Sequence, residues 1–170
     1  AASRVIALKN GEVDLIKQFP AEDMDRFQAD PNINLIKQPS VGARMFEFGC
    51  DDPIISNTKV RQAISLAVDR DEFIEGLFPG LTYPSTGPIT PVVWGYYDFG
   101  KIEQDQEKAK QLLAEAGYPN GFDTRIITTP RYDKGVELAE ILSAQLSEVG
   151  INAKIEVIEW SVLVPMWSGI

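Results

Sequence analysis

Three features of the sequence predict an α/β fold. Residues 124–157 run strand, helix, strand: Arg125 to Thr129 is extended, Val136, Ala139, Leu142, Leu146 and Val149 share one helical face ahead of Gly150, and Ile151, Ala153, Ile155 and Val157 alternate. Two strands joined through a helix by tight joints favour a right-handed βαβ unit, because a parallel pair needs a crossover that a hairpin cannot supply. Helical spacing recurs over Asn57 to Ile74 and after Asp105. Finally, 170 residues with 44% hydrophobic content suffice to bury one ordinary core.

Taken in order, Ala2 to Lys9 reads as a helix with Val5 and Leu8 inward and Ile6 a further inward candidate, closed by Asn10-Gly11. Val13 to Ile16 is expected as a short strand. Pro20 to Ala29 reads as a short helix with Met24 and Phe27 on one side, ended by Asp30-Pro31. Strands are expected over Asn34 to Gln38 and Ala43 to Phe48, around the turn residues Pro39-Ser40-Val41-Gly42. Both faces of the second carry apolar residues, so it is expected to be buried or to cross between two parts of the fold.

Asn57 is an N-cap candidate for a helix lined by Val60, Ile64, Ala67 and Val68. Asp69 and Asp71 mark a break, after which Phe73, Ile74, Leu77 and Phe78 resume the apolar pattern. Adjacent charges at such a junction are expected as caps and exposed pairs, not as catalytic groups. Pro79 to Gly100 holds four prolines and four glycines with little periodicity, a loop long enough to be functional or mobile. Asp105 caps the next helix, with Ala109, Leu112, Leu113 and Ala116 inward and Gly117 at its end. Asp133 is the expected cap of the helix that follows Thr129. Pro165 interrupts whatever follows Trp160, which is expected in the core.

Composition excludes several kinds of function. The formal net charge is −9, with the acidic residues spread along helices as solvated faces, so a basic footprint for nucleic acid is missing. Attachment to anionic membrane by this segment is equally disfavoured, and apolar runs fall far short of the ~20 residues of a membrane span. Histidine is absent and Cys50 is the single cysteine. That removes Ser-His and Cys-His catalysis, His-based zinc or nickel sites and internal disulfides. Cys50 itself is expected as a buried, inert thiol at the end of a strand. Nothing arranges two carboxylates around a reacting bond, and no cofactor or metal is expected.

The wording of three stretches carries a resemblance. Asn10-Gly11-Glu12-Val13-Asp14-Leu15, Asn57-Thr58-Lys59-Val60-Arg61-Gln62-Ala63-Ile64-Ser65-Leu66-Ala67-Val68, and Ala109-Lys110-Gln111-Leu112-Leu113-Ala114-Glu115-Ala116-Gly117-Tyr118-Pro119 follow one another in the order of a known family. The chain resembles the family 5 extracellular solute-binding proteins of ABC importers, the dipeptide, oligopeptide and nickel binders. The resemblance implies a non-enzymatic binding protein with two lobes and a mixed sheet flanked by helices. It implies that residues 1–45 belong with the first lobe and hinge, and 46–170 form the body of the second lobe, incomplete at its C-terminal end. The chain is short for the family and starts at Ala1 with no signal-peptide pattern, so an internal portion is expected. Also implied are a solute, most commonly a di- or oligopeptide, a membrane permease as partner, and a periplasmic or extracellular location, with lipoprotein anchoring compatible. A ligand-sensing or protein-interaction domain on the same fold is the alternative. The segment alone is expected to expose apolar surface and self-associate.

Four residues are candidates for solute contact. Arg131 and Tyr132 follow a strand and precede a helix, where ligands of open α/β sheets collect, and an arginine there can grip a carboxylate with two hydrogen bonds. In dipeptide-binding relatives an Arg and a Tyr of this loop hold the ligand's terminal carboxylate; there a proline separates them, whereas here they are adjacent. Trp94, within the Pro/Gly-rich loop, either walls a cleft or fills the domain's own core. Arg44, in the expected strand near the hinge, needs a carboxylate partner from the protein or from the ligand.

Overall fold

Three helices of this chain start where a side-chain oxygen stands ahead of an apolar face. A computed structural model describes residues 2–17, 19, 20 and 23–168, with no account of the Trp167 and Ser168 side chains. It divides into two compact units, Ala1–Val41 and Gly42–Ile170.

The first unit holds α1 (Ala2–Lys9) and α2 (Met24–Gln28). Val5 of α1 is buried, whereas Ile6 faces solvent. Gly11 closes α1 with φ +70°, a left-handed backbone that lets Glu12 N–H donate to the Ala7 carbonyl at 2.9 Å. Phe27 of α2 is buried and meets Phe19 edge to face, ring centroids 5.0 Å apart. Of the helix expected over Pro20 to Ala29, Ala21 and Glu22 lie outside the described residues. The strands expected at Val13 to Ile16 and Asn34 to Gln38 do not form. A strand exists only with a hydrogen-bonded neighbour, and these segments have none among the described residues; Leu15 is left 79% exposed.

The second unit holds α3 (Thr58–Ala67), α4 (Arg70–Leu77), α5 (Gln106–Glu115), β1 (Phe122–Thr128), α6 (Gly135–Ser147), β2 (Ile151–Val157) and α7 (Trp160–Ser168). Three expected caps are present. Asn57 accepts from Lys59 N–H, Asp69 from Asp71 and Glu72 N–H, and Asp105 from Lys108 N–H. Each replaces an intrahelical partner that the first turn lacks, and removing one costs about 1 kcal/mol.

The inward faces of these helices make the core. Val60, Ala63 and Ala67 of α3 and Ala109 of α5 have no exposed surface, and small residues at the crossing let the two helices approach closely. Leu142 and Leu146 of α6 and Ile151 and Ala153 of β2 complete the same cluster. Burying a side chain the size of Leu146 stabilises by about 1.5–3 kcal/mol. At the rim of this core, the buried Gln145 amide accepts from Asp69 N–H at 3.1 Å and donates to Glu72, tying α6 to α4.

β1 and β2 pair in parallel, from Phe122 opposite Ile151 to Thr128 opposite Val157, with α6 as the connection packed on both. The expected βαβ unit is therefore the centre of this domain. Two glycines set its entrance. Gly121 and Gly150 each precede a strand at positive φ, and a Cβ on Gly121 would lie 1.8 Å from the Gly150 carbonyl oxygen. No side chain fits there.

Several expectations need correction. The strand expected at Ala43 to Phe48 does not form, and Met45, Phe46 and Phe48 are exposed. Cys50 is likewise exposed. Asp133 does not cap α6: the cap position is Lys134, at φ +58°, with no side-chain cap hydrogen bond. The turn closes one residue later than expected because Gly135 N–H donates to the Tyr132 carbonyl. A Cβ at Gly135 would stand 3.0 Å from the Thr129 carbonyl, tighter than an ordinary van der Waals contact, so glycine eases that turn. No helix among the described residues is long and apolar enough to cross a membrane.

Candidate functional site

The parallel register brings the outgoing chain from both strands to one rim of the sheet. Thr128 pairs with Val157, and Ile158 N–H donates to the Thr128 carbonyl at 2.9 Å, so pairing persists to the strand ends. Arg131 and Trp160 each stand three residues past those ends. The N-termini of α6 and α7 start at the same rim, where backbone N–H groups point outward and a helix dipole favours negative charge.

Trp160 opens α7 and receives both expected contact residues. The Arg131 guanidinium carbon sits 4.7 Å from the Trp160 ring centroid, within cation–π range. Tyr132 meets the same indole edge to face, centroids 5.5 Å apart and planes at 85°. The loop itself is pinned from below: buried Thr128 donates its hydroxyl to the Gly135 carbonyl at 2.9 Å, and the buried Thr129 hydroxyl accepts from Arg131 N–H at 3.4 Å. Among the described residues Arg131 forms no ion pair, in contrast to Arg125 and Lys134 nearby in sequence. Its charge is available to a partner.

Arg44 joins this group from the segment between α2 and α3. Its guanidinium donates to the Asp133 backbone carbonyl, lies 4.0 Å from the Asp133 carboxylate and stands 4.7 Å from the Phe78 ring centroid. Arg44 thus spends its charge on the protein, and braces the loop that carries Arg131 and Tyr132. These three of the four candidates lie together. Trp94 lies apart.

The Trp94 side chain is 97% exposed, which rules out the core-filling role. Its loop nevertheless has internal structure. Val93 N–H donates to Thr90 O, the Thr86 and Tyr96 hydroxyls are 3.1 Å apart, and Tyr97 packs edge to face on Phe99. A depression of about 140 Å³ between Pro88, Ile89, Tyr97 and Phe99 does not include Trp94. A second, more polar one on the sheet face, lined by Asp52, Asp123, Arg125, Lys154 and Glu156, is open, and Arg125 and Glu156 pair with each other within it. No group of three or more His, Cys, Asp or Glu among the described residues could hold a metal.

Trp160 was expected in the core and is instead half-buried at the rim. The signal for it lay in the strand register: residues equally far past paired parallel strand ends become neighbours. Asp133 and Phe78 as partners of Arg44 had no such signal, since both are distant in sequence, Asp133 by 89 residues.

Comparison with known proteins adds to this geometry. Residues 1–168 match the profile of the bacterial extracellular solute-binding proteins, family 5 middle. The heme-binding protein A of Haemophilus influenzae is 33% identical over 166 residues, 95% of this chain and 30% of that protein. The glutathione-binding protein GsiB of Escherichia coli K12 is 29% identical over 153 residues, 90% of this chain and 30% of its own length. Among solved structures, the periplasmic binding protein DppA of Helicobacter pylori, in complex with the peptide STSA, superposes with a TM-score of 0.80 at 33% identity, covering 96% of this chain and 32% of that one. The chain therefore spans about a third of the length of the relatives it matches.

Proposed function

The chain belongs to the bacterial extracellular solute-binding proteins, family 5, and from that premise we propose that it is the middle portion of a protein that captures a di- or oligopeptide outside the cytoplasmic membrane for uptake by an ABC permease. The observation that carries this reading is the rim at the carboxyl ends of β1 and β2, where Arg131 is held over Trp160 without an ion pair among the described residues. An arginine so placed offers a forked set of N–H donors to a planar anion, and a peptide's terminal carboxylate is such an anion. Tyr132 adds an aromatic wall with a hydroxyl at its edge. Relatives named for glutathione and solved with the peptide STSA handle molecules ending in carboxylates, which supports the choice of peptide.

In this reading residues 1–45 belong with the first lobe and hinge of the full-length protein and 46–170 with the second. The solute is enclosed when the lobes close, and the closed form is what the permease accepts. Trp94 serves as a further solute contact from its loop, and Arg44 acts by bracing the Arg131 loop. The protein performs no catalysis.

Calorimetric titration of the full-length protein with free-acid peptides of two to five residues tests the proposal. Saturable binding in the micromolar range or tighter to at least one length is expected. Absence of heat with all of them, together with binding of a non-peptide solute such as a sugar, would overturn the choice of ligand class.

A further inference from the structure

We propose that Trp160 is a positioning residue of the solute site, holding the Arg131 guanidinium by its ring face and thereby setting the affinity for a carboxylate it does not itself touch. This rests on the reading of Arg131 as the group that receives the solute's carboxylate. An exposed arginine has several rotatable bonds, and fixing it costs conformational entropy at the moment of binding unless the free protein has already fixed it. The described residues supply no ion pair to do so. They supply a ring instead: the guanidinium lies 4.7 Å from the Trp160 centroid. A cation over an aromatic face uses none of its N–H donors in that contact, so its hydrogen-bonding capacity stays intact for the solute.

The placement is not a chance surface contact. Trp160 is the first residue of α7 and stands three residues past Val157, the last residue of β2, which pairs with Thr128 of β1. Arg131 follows Pro130, whose ring fixes φ and so limits the paths the chain can take out of β1. Tyr132 clamps the same indole at 85°. The ring is thus contacted by two successive residues of a loop that Arg44 bolts through the Asp133 carbonyl.

The full-length protein and a peptide pair, one with a free C-terminus and one amidated, provide the test. W160L is expected to weaken the free-acid peptide about two- to fivefold, the usual worth of a cation–π contact at a partly exposed site, and to leave the amidated peptide unchanged. W160F, which keeps a ring of weaker quadrupole, should lie between. In an Arg131→Ala background W160L should add nothing. Equal weakening of both peptides, or of neither, overturns the proposal by showing Trp160 to be generally structural or irrelevant. W160F alone decides by the same criterion if W160L does not fold. The underlying reading fails separately, if Arg131→Ala leaves the ratio of free-acid to amide affinity where it was.

Discussion

Arg44 illustrates how little a residue's type says about its partner. The sequence limits it to a carboxylate or comparable acceptor, and the fold gives it a backbone carbonyl, the flank of a carboxylate and a ring, from Asp133 and Phe78. Because the side chain is about half exposed, its carboxylate contact is screened and contributes little; the hydrogen bond and the stacking dominate. Arg44→Ala should therefore lower stability to urea by about 1 kcal/mol, the net worth of one such hydrogen bond. Arg44→Lys should recover only part of that, since an ammonium cannot both stack on Phe78 and span to Asp133. A wild-type midpoint for the alanine variant would show that the brace carries no weight. Arg131 and Tyr132 were readable as neighbours of a strand end, whereas Trp160 needed the strand register and Arg44's partners needed the tertiary fold.

Elements were legible where local chemistry decides them and obscure where a distant partner does. The caps Asn57, Asp69 and Asp105, and the stop glycines, act within one turn of the residues they serve, and each helix they bound is present. The segments at Val13 to Ile16, Asn34 to Gln38 and Ala43 to Phe48 have strand-like composition, but pairing is a long-range event that alternation cannot guarantee. The α6 cap moved from Asp133 to Lys134 because Gly135 allows a tighter turn than an Asp cap would make. The glycine pair at the sheet entrance gives the sharpest prediction at this scale. Gly121→Ala places a methyl group inside the Gly150 peptide and should cost at least about 3 kcal/mol, as overpacked backbone contacts do. Gly117→Ala is the control: it also has positive φ but open space around it, and should cost only the left-handed penalty of about 1–2 kcal/mol. Thermal unfolding of the two variants checks the ranking, and equal losses would mean that the backbone at Gly121 relaxes freely.

At the scale of the molecule, a chain that spans about a third of its relatives' length carries one complete βαβ core and many exposed apolar side chains. Leu15, Ile36 and Val41 in the first unit and Met45, Phe46 and Phe48 in the second are all exposed. Apolar surface of that kind favours association, so light scattering on the segment expressed alone should show species larger than a monomer as concentration rises. A constant monomer mass over a wide range would remove that argument. Solute capture by enclosure, in turn, needs contacts from both lobes, and the segment alone should bind peptide far more weakly than the full-length protein. The measurement that bears most directly on the proposed function compares a free-acid peptide with its C-terminal amide, on the full-length protein and on its Arg131→Ala variant. Amidation and the substitution should each weaken binding by about 1.5–3 kcal/mol, the worth of a hydrogen bond to a charged group. Together they should weaken it by little more than either alone, because both remove the same contact. Equal losses on substitution for the acid and the amide would contradict the assignment and move the carboxylate away from the rim formed by Arg131 and Trp160.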